Sequence, residues 1–337
     1  MDRLQQTVHQ SVAPFNPGSA PFALVDFPDH SNVGDSAIWL GEIAAFRDVW
    51  GTRPSYVCNF QNFDSASLER HVPDGPIFVH GGGNFGDIWM DHQRFREDLL
   101  RRYPGRPIVQ LPQSIHYDDV AHARETAKLI QNHGAFTLMV RDVQSFAFAK
   151  ENFSCPVHLV PDMAFALGSI PRPQEAKVET LMLLRTDKEI LGSRGTTDEA
   201  SDGAVNVDWL VDDPYLYLKA RLMGWSDAVA LSALFQGQSL QRRAAARSEY
   251  LAHVRVQRGL NLLASGRRVI TDRLHGHILS TLMGMKHAIL DNYYGKIRRF
   301  ADTWGSDWDG VVRADSIPEA LKGLAALEPR DGSRTRT

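Results

Sequence analysis

Cysteine is nearly missing from this chain, which has only Cys58 and Cys155. Two thiols make no disulfide framework and lack the spacing of a zinc site, so a reducing cytoplasm is the expected compartment. No stretch reaches the ~18 uninterrupted apolar residues of a membrane-spanning helix, and the opening MDRLQQTVHQ is followed by no apolar signal core. Residues 215–235 come nearest, but Lys219, Arg221 and Asp227 interrupt them. That segment reads as an amphipathic helix whose apolar side packs on the protein, a membrane-surface or dimer contact being the alternative. A basic field is missing as well: 37 Lys and Arg stand against 40 Asp and Glu, a net charge of −3, which excludes a general nucleic-acid binder. The Gly-Lys-Ser/Thr of a P-loop is absent, and with it the ordinary ATP fingerprint.

At ~100 to 200 residues per domain, a chain of 337 residues predicts two domains, and 43% apolar with 23% charged residues is ordinary globular composition. The charge is unevenly placed. Residues 1–170 carry 13 Lys/Arg against 19 Asp/Glu, net −6, and residues 171–337 carry 24 against 21, net +3. Within the second half, residues 241–299 hold 12 basic and 3 acidic side chains, which suggests a small anionic ligand.

Short β-branched or aromatic runs alternate with helical patterns. FALVDF at 22–27, SYVCNF at 55–60, PIFVH at 76–80, PIVQL at 107–111, FTLMV at 136–140 and VHLVPD at 157–162 read as strands. Helices are expected over 36–49, 91–102 and 119–133, and from Asp142. The segment GSIPRPQEAK at 168–177 has two prolines and no apolar period, so it reads as a linker. Beyond it come ETLMLLRTD at 179–187, helical stretches between 215 and 265, RRVITD at 267–272, a helix at 275–283, KHAILDN at 286–292 and a helix from Lys296. The expected division is a first α/β domain over 1–170, a second over 178–328 and a disordered tail at 329–337. Such alternation implies βαβ units and mostly parallel sheets.

In open parallel sheets ligands collect beyond the carboxyl ends of strands. Four polar clusters fall there. In HSNVGDSAIW at 30–39, Asn32, Gly34 and Asp35 form a turn at a helix start; Asp35 or Ser36 is either the N-cap alone or Asp35 also lines a cleft as a general base. In VHGGGNFGD at 79–87, Gly82 and its neighbours Gly81 and Gly83 let a ligand approach backbone N–H groups, with Asn84 and Asp87 as polar handles, unless the segment is only a Gly-rich turn. LPQSIHY at 111–117 adds Gln113, Ser114 and His116. In TDRLHGH at 271–277, Asp272 and Arg273 fall at a turn and His275 opens a helix whose N-terminus favours anions. The plainer reading there is an Asp/Arg pair holding the turn, and His277 and His287 are read as structural. Asn292 and Lys296 sit at the next strand-to-helix junction, followed by Arg298 and Arg299; with Arg185 near the end of strand 179–185 they can surround one anion. Lys296 and Arg185 rank above Arg298 and Arg299, because charge runs are usually solvated faces.

NVGD at 32–35, HGGGNFGD at 80–87, LPQSIHY at 111–117, RD at 141–142, PD at 161–162, LLRTDKE at 183–189, TDRLHGHI at 271–278 and DNYYGKIRRF at 291–300 occur in the order seen in the polysaccharide pyruvyl transferase family. The chain resembles its bacterial exopolysaccharide members over roughly residues 20–305. The resemblance implies two Rossmann-like α/β domains in a GT-B-like arrangement with an interdomain cleft. It also implies phosphoenolpyruvate as donor and a saccharide or lipid-linked oligosaccharide acceptor that becomes a pyruvate ketal; that chemistry requires no metal and no ligand cluster in the sequence demands one, so no cofactor or metal is expected. Arg273 and His275 match the family's donor motif and Arg185 its strand arginine, so Arg185, Arg273, His275, Lys296 and Asn292 are the expected donor site. Asn32, Asp35, His80, Gly82, Gly83, Asn84, Asp87, Gln113 and Ser114 are the expected acceptor side.

His275 is the expected acid and Asp35 the expected base, with Asp87 or His80 as substitutes. Lipid-linked acceptors add an expected peripheral contact at the inner membrane face, for which 215–235 is the candidate. The rival readings are a GT-B glycosyltransferase using a nucleotide sugar and a non-catalytic carbohydrate- or anion-binding module.

Overall fold

The computed structural model describes residues 2–185, 204–229, 238–291, 295–305 and 308–327. Two compact units are present: Met1–Gly168 with Val211–Val256, and Ser169–Leu210 with Gln257–Thr337.

The first unit opens on a helix that the sequence reading leaves unassigned, α1 (Asp2–Val12), and continues β1 (Ala23–Val25), α2 (Val33–Trp50), β2 (Tyr56–Cys58), α3 (Ser65–His71) and β3 (Ile77–Val79). Then come β4 (Gly82–Gly86), α4 (Met90–Arg102), β5 (Ile108–His116), α5 (Val120–His133), β6 (Phe136–Val140), α6 (Val143–Asn152) and β7 (Val157–Leu159). The sheet runs β2-β1-β3-β5-β6-β7, with β4 paired to β5, and every pairing is parallel. Its central strands are covered on both faces and therefore read as unbroken apolar runs such as ALV and IFV. Val25, Val79, Phe85, Leu99 and Leu138 lie in its core, each such side chain contributing roughly 1.5–3 kcal/mol by leaving water.

Helix α2 is apolar on all sides because it is buried on nearly all sides; Asn32 caps its start and Gly51, at φ 69°, closes it. Its Gly41 touches the Met163 carbonyl so closely that a Cβ there would collide.

The glycine-rich segment after β3 differs from the loop expected. Gly82–Gly86 is a strand, and the nine residues of β5 pair first with β3 and then with β4. Pro112, which has no N–H to donate, sits where the β5 register shifts, between Gln110 and Gln113. Gly82 and Gly86 adopt φ of 126° and 119°, which side chains rarely tolerate.

Helices α7 (Leu216–Val229) and α8 (Gln238–Ala264) were expected in the second domain, yet residues 211–256 belong to the first unit. The reason is a buried guanidinium. Arg255 pairs with Asp212 at 2.9 Å, donates to the Tyr217 hydroxyl at 2.9 Å and to the Pro28 carbonyl at 3.3 Å, and Arg53 pairs with Glu249 at 2.6 Å. The charge contrast shrinks accordingly. Counted over the compact units, 19 Lys/Arg against 23 Asp/Glu give −4, and 18 against 17 give +1. On α7, Leu216 and Ala220 are buried while Tyr215 beside them, Leu218 and Leu222 are exposed. Residues 230–235 of that expected helix lie outside the described residues. Among the described residues no helix is long and apolar enough to cross a membrane.

The second unit contains β8 (Val178–Leu183), β9 (Ala204–Val207), β10 (Gly266–Thr271), α9 (Leu274–Leu282), β11 (His287–Leu290), α10 (Lys296–Trp304), β12 (Val311–Ala314) and α11 (Ile317–Ala326). Its sheet runs β12-β11-β10-β8-β9, again parallel throughout. Met182, Ile270, Leu290 and Ile317 are in its core. The fold is thus α/β with two Rossmann-like parallel sheets. Residues 186–187 of the expected strand 179–187 and the tail 329–337 lie outside the described residues.

Candidate active site

In the first unit Asn32, Asp35 and His80 follow the carboxyl ends of the neighbouring strands β1 and β3, while Gly82, Gly83 and Asn84 lie in β4 and Gln113 and Ser114 in the second half of β5, which pairs with it. Asn32 accepts the Gly34 N–H at 3.1 Å and donates to Asp35 at 2.8 Å. His30 approaches the same carboxylate at 3.6 Å. Asp35 Oδ1 would lie 3.6 Å from a Cβ on Gly82, so the NVGD turn faces the glycine strand.

His80 is buried, and its Nδ1 donates to Glu42 Oε2 at 2.9 Å while the Gly81 N–H donates to Glu42 Oε1 at 2.8 Å. Burial opposes a charge on His80, but the charge and hydrogen bond of Glu42 together with the nearby Asp35 and Asp26 carboxylates raise the imidazole above its ordinary value.

Gln113 donates to Asn84 at 2.8 Å and to the His80 carbonyl at 3.1 Å, and accepts the Asn84 N–H at 3.0 Å. Arg96 secures Asn84 at 2.8 Å. Gly83 and Asn84 stay half-buried. The Ser114 hydroxyl donates to Asp142 at 2.8 Å and accepts from Arg141 at 3.0 Å.

Asp87 has another task. It accepts the Asp118 N–H at 2.9 Å and the Asp119 N–H at 2.8 Å, fixing the turn before α5. Burial works against its charge, yet those backbone donors and His122 hold the carboxyl below its usual range. His116 pairs with Asp118 at 2.9 Å.

In the second unit Arg185, Asp272, Arg273 and His275 follow the carboxyl ends of the paired strands β8 and β10, and Lys296 follows β11 beside them. The Thr271 hydroxyl donates to the Leu183 carbonyl at 2.9 Å and accepts the Arg273 N–H at 3.1 Å, and buried Asp272 accepts the Arg185 N–H at 2.8 Å. Gly276 is required here, because a Cβ would fall on the Thr271 hydroxyl. The Arg273 guanidinium is buried and meets Asp208 at 2.7 Å. His275 is buried in the first turn of α9, and Lys296 opens α10. Arg298, on the exposed face, pairs with Asp315 at 2.9 Å. Asn292 lies outside the described residues. Among the described residues no group of three or more His, Cys, Asp or Glu side chains is set to hold a metal ion.

The family model for polysaccharide pyruvyl transferase matches residues 32–293. The chain belongs to that family. It is a transferase, and the family implies a saccharide acceptor. The chain is 36% identical to pyruvyl transferase 1 of Schizosaccharomyces pombe over 91% of this chain and 76% of that protein. It is 30% identical to the putative pyruvyl transferase EpsO of Bacillus subtilis over 91% of each. A crystal structure of a functionally uncharacterized Klebsiella pneumoniae protein matches with a TM-score of 0.60 at 16% identity, covering 94% of this chain and 100% of that one, and shows the fold alone.

In this polysaccharide pyruvyl transferase, sequence reasoning missed four carboxylate contacts at the two edges: Glu42 with His80, Asp26 with His92, Asp29 with Arg255 at 3.6 Å, and Asp208 with Arg273. Only Glu42 carried a signal, as the single charge in the apolar run AIWLGEIAAF. A lone carboxylate inside a buried helix demands a partner.

Proposed function

We propose that this chain transfers the pyruvyl group of phosphoenolpyruvate to two hydroxyls of a saccharide, polymer or lipid-linked precursor, forming a pyruvate ketal and releasing phosphate. The observation that carries the reading is the family match across residues 32–293. Phosphoenolpyruvate carries about three negative charges, up to two on phosphate and one on carboxylate. Arg185, Arg273, His275 and Lys296 beyond three adjacent strands supply cations to offset them, and a guanidinium suits the forked oxygens of either group.

In this reading His275 protonates the vinyl C3, C2 becomes electrophilic, one sugar hydroxyl attacks it, phosphate leaves, and a second hydroxyl closes the ketal. Asp35 takes a hydroxyl proton and the amide groups of Asn84 and Gln113 line the acceptor side. Two Rossmann-like units in a GT-B-like pairing, a cytoplasmic location where the donor is made, and contact with the inner membrane face through α7 belong to the same reading. The exposed Tyr215, Leu218 and Leu222 support that last element.

Purified protein incubated with phosphoenolpyruvate and a synthetic glycoside is expected to release phosphate in step with ketal formation. Thermal stabilisation by UDP or GDP but not by phosphoenolpyruvate would favour a nucleotide-sugar glycosyltransferase instead. Donor binding without phosphate release would leave a binding module.

A further inference from the structure

Asp26 stands at the carboxyl end of β1, fully buried, with a backbone φ of 71°. Among the described residues it alone adopts positive φ without being glycine. Such a conformation is unfavourable for a side-chain-bearing residue and persists only where the surroundings over-determine it. Both Asp26 oxygens lie 2.9 Å from Nδ1 of His92, in the first turn of α4. Phe60 packs edge-on against the imidazole, with centroids 5.0 Å apart, and fixes the ring plane from the other side.

The buried carboxylate therefore selects the tautomer of His92. Nδ1 carries the proton and faces inward, and Nε2, the opposite nitrogen, is left to the partly exposed side of a residue whose side chain is 16% accessible. Nε2 makes no hydrogen bond among the described residues. A carboxylate–imidazole pair in this orientation offers an acceptor nitrogen of fixed direction, the arrangement by which a histidine removes a hydroxyl proton.

His92 also shares its surroundings with the acceptor side. His30, which contacts Asp35 at 3.6 Å, is pushed below its ordinary value by the protein crowding it; Asp35 resists that push, and His92, Arg255 and His80 reinforce it. Ketal formation needs two deprotonations, one for each sugar hydroxyl, and Asp35 supplies one acceptor.

We propose that His92, oriented by Asp26, is the base for the second hydroxyl. The inference rests on the pyruvyl-transfer reading. In the step, the O–H bond of that hydroxyl breaks, its proton passes to Nε2, and its oxygen pair forms the new bond to C2. Over the whole reaction the two hydroxyl protons balance the proton gained at C3 and the one gained by the departing phosphate. Asp26 is a positioning residue, acting through the ring it holds.

The test compares wild type with His92→Gln and Asp26→Asn, measuring ketal formation, acceptor KM and the thermal midpoint, with histidine 15N spectra of the wild type and Asp26→Asn. In the wild type, neutral His92 is expected to carry its proton on Nδ1. His92→Gln is expected to lower kcat by about 100-fold or more with acceptor KM changed less than about threefold. Asp26→Asn is expected to shift the proton to Nε2 and lower kcat comparably, as an amide in the carboxylate's place favours the wrong tautomer. Wild-type His92 protonated on Nε2, or His92→Gln within about threefold of wild-type kcat, would overturn the proposal. So would a loss confined to KM. Absence of ketal with the wild type would instead defeat the pyruvyl-transfer reading, while the 15N spectra still report whether the pair is built as described. If either variant fails to fold, the wild-type tautomer and the other variant decide.

Discussion

Beside the first sheet, inward-facing imidazoles end on carboxylates: His80 on Glu42 and His92 on Asp26, both at 2.9 Å. Inside the second unit a buried histidine ends on another histidine, His277 Nδ1 lying 2.7 Å from His287 Nε2. The His287 Nδ1–H donates to the Met285 carbonyl at 2.8 Å, so its Nε2 accepts, and the pair is stable only when neutral. Burial drives His287 down to about 4 and, with His287 and Arg313 adding to it, drives His277 well below its ordinary value. His80 is as deeply buried and moves the other way because Glu42, with Asp35 and Asp26 behind it, outweighs burial. The partner, not the depth, sets the charge. The first edge is thus built to hold protons in fixed places and the core of the second to exclude them.

Removing a partner breaks the contrast most severely at Glu42. Glu42→Ala leaves His80 and the Gly81 N–H buried without their acceptor, and is expected to reduce stability by about 3–5 kcal/mol, read as a lower urea midpoint. Glu42→Gln keeps an acceptor for one of them and should recover part of the loss. Equal midpoints for wild type and Glu42→Ala would mean that the pair holds nothing.

The second unit's cations provide the next largest effect. Arg273→Ala is expected to lower kcat/KM for phosphoenolpyruvate by about 100-fold, or about 2.7 kcal/mol of transition-state stabilisation. Arg273 is buried against Asp208, so the midpoint should fall too, since the substitution leaves a carboxylate without its counter-charge. Adding Asp208→Asn should restore the midpoint but not the activity. Arg298→Ala, on the exposed face, should stay within about twofold of wild type in both measurements.

Proton titration separates the units by sign. The histidines of the second unit are depressed in the folded state, so their contribution is complete above about pH 6.5 and is lost as pH falls toward 4. His80 is raised, so its contribution is complete below about pH 6.5 and is lost as pH climbs through that raised value. Urea midpoints across pH 4–9 should therefore lose their acid limb in part in His287→Gln and their alkaline limb in part in His80→Gln. Identical limbs in both variants would contradict the assignment.

Strand–helix alternation made the two parallel sheets legible, because parallel strands must be apolar and their crossovers helical. The cap of α2 was misplaced: Asp35 or Ser36 was expected there, whereas the helix starts earlier and Asn32 caps it by accepting the Gly34 N–H. The glycine strand was not legible, since nothing in GGNFG shows that β5 is long enough to pair with it after pairing with β3. Nor was the membership of 211–256, which turns on Arg255 reaching Pro28, 227 positions away in sequence. The candidate site divided along the same line. Residues at strand ends announced themselves through motifs, whereas Asp26, His92 and Asp208 act through partners 65 or 66 positions distant.

Two aspartates following glycine, Asp35 in NVGD and Asp87 in NFGD, look alike in sequence and sharpen the comparison most finely. Asp87 is committed to the Asp118 and Asp119 N–H groups, whereas Asp35 meets the side chains of Asn32 and His30 and faces Gly82. Asp87→Asn keeps one acceptor oxygen and should cost only about 1 kcal/mol of stability, with kcat within about twofold of wild type. Asp35→Asn should leave the midpoint nearly unchanged while lowering kcat. Were Asp87→Asn to abolish turnover at an unchanged midpoint, the turn would be part of the acceptor site, and the division between carboxylates that hold backbone and carboxylates that meet substrate would fail at this edge.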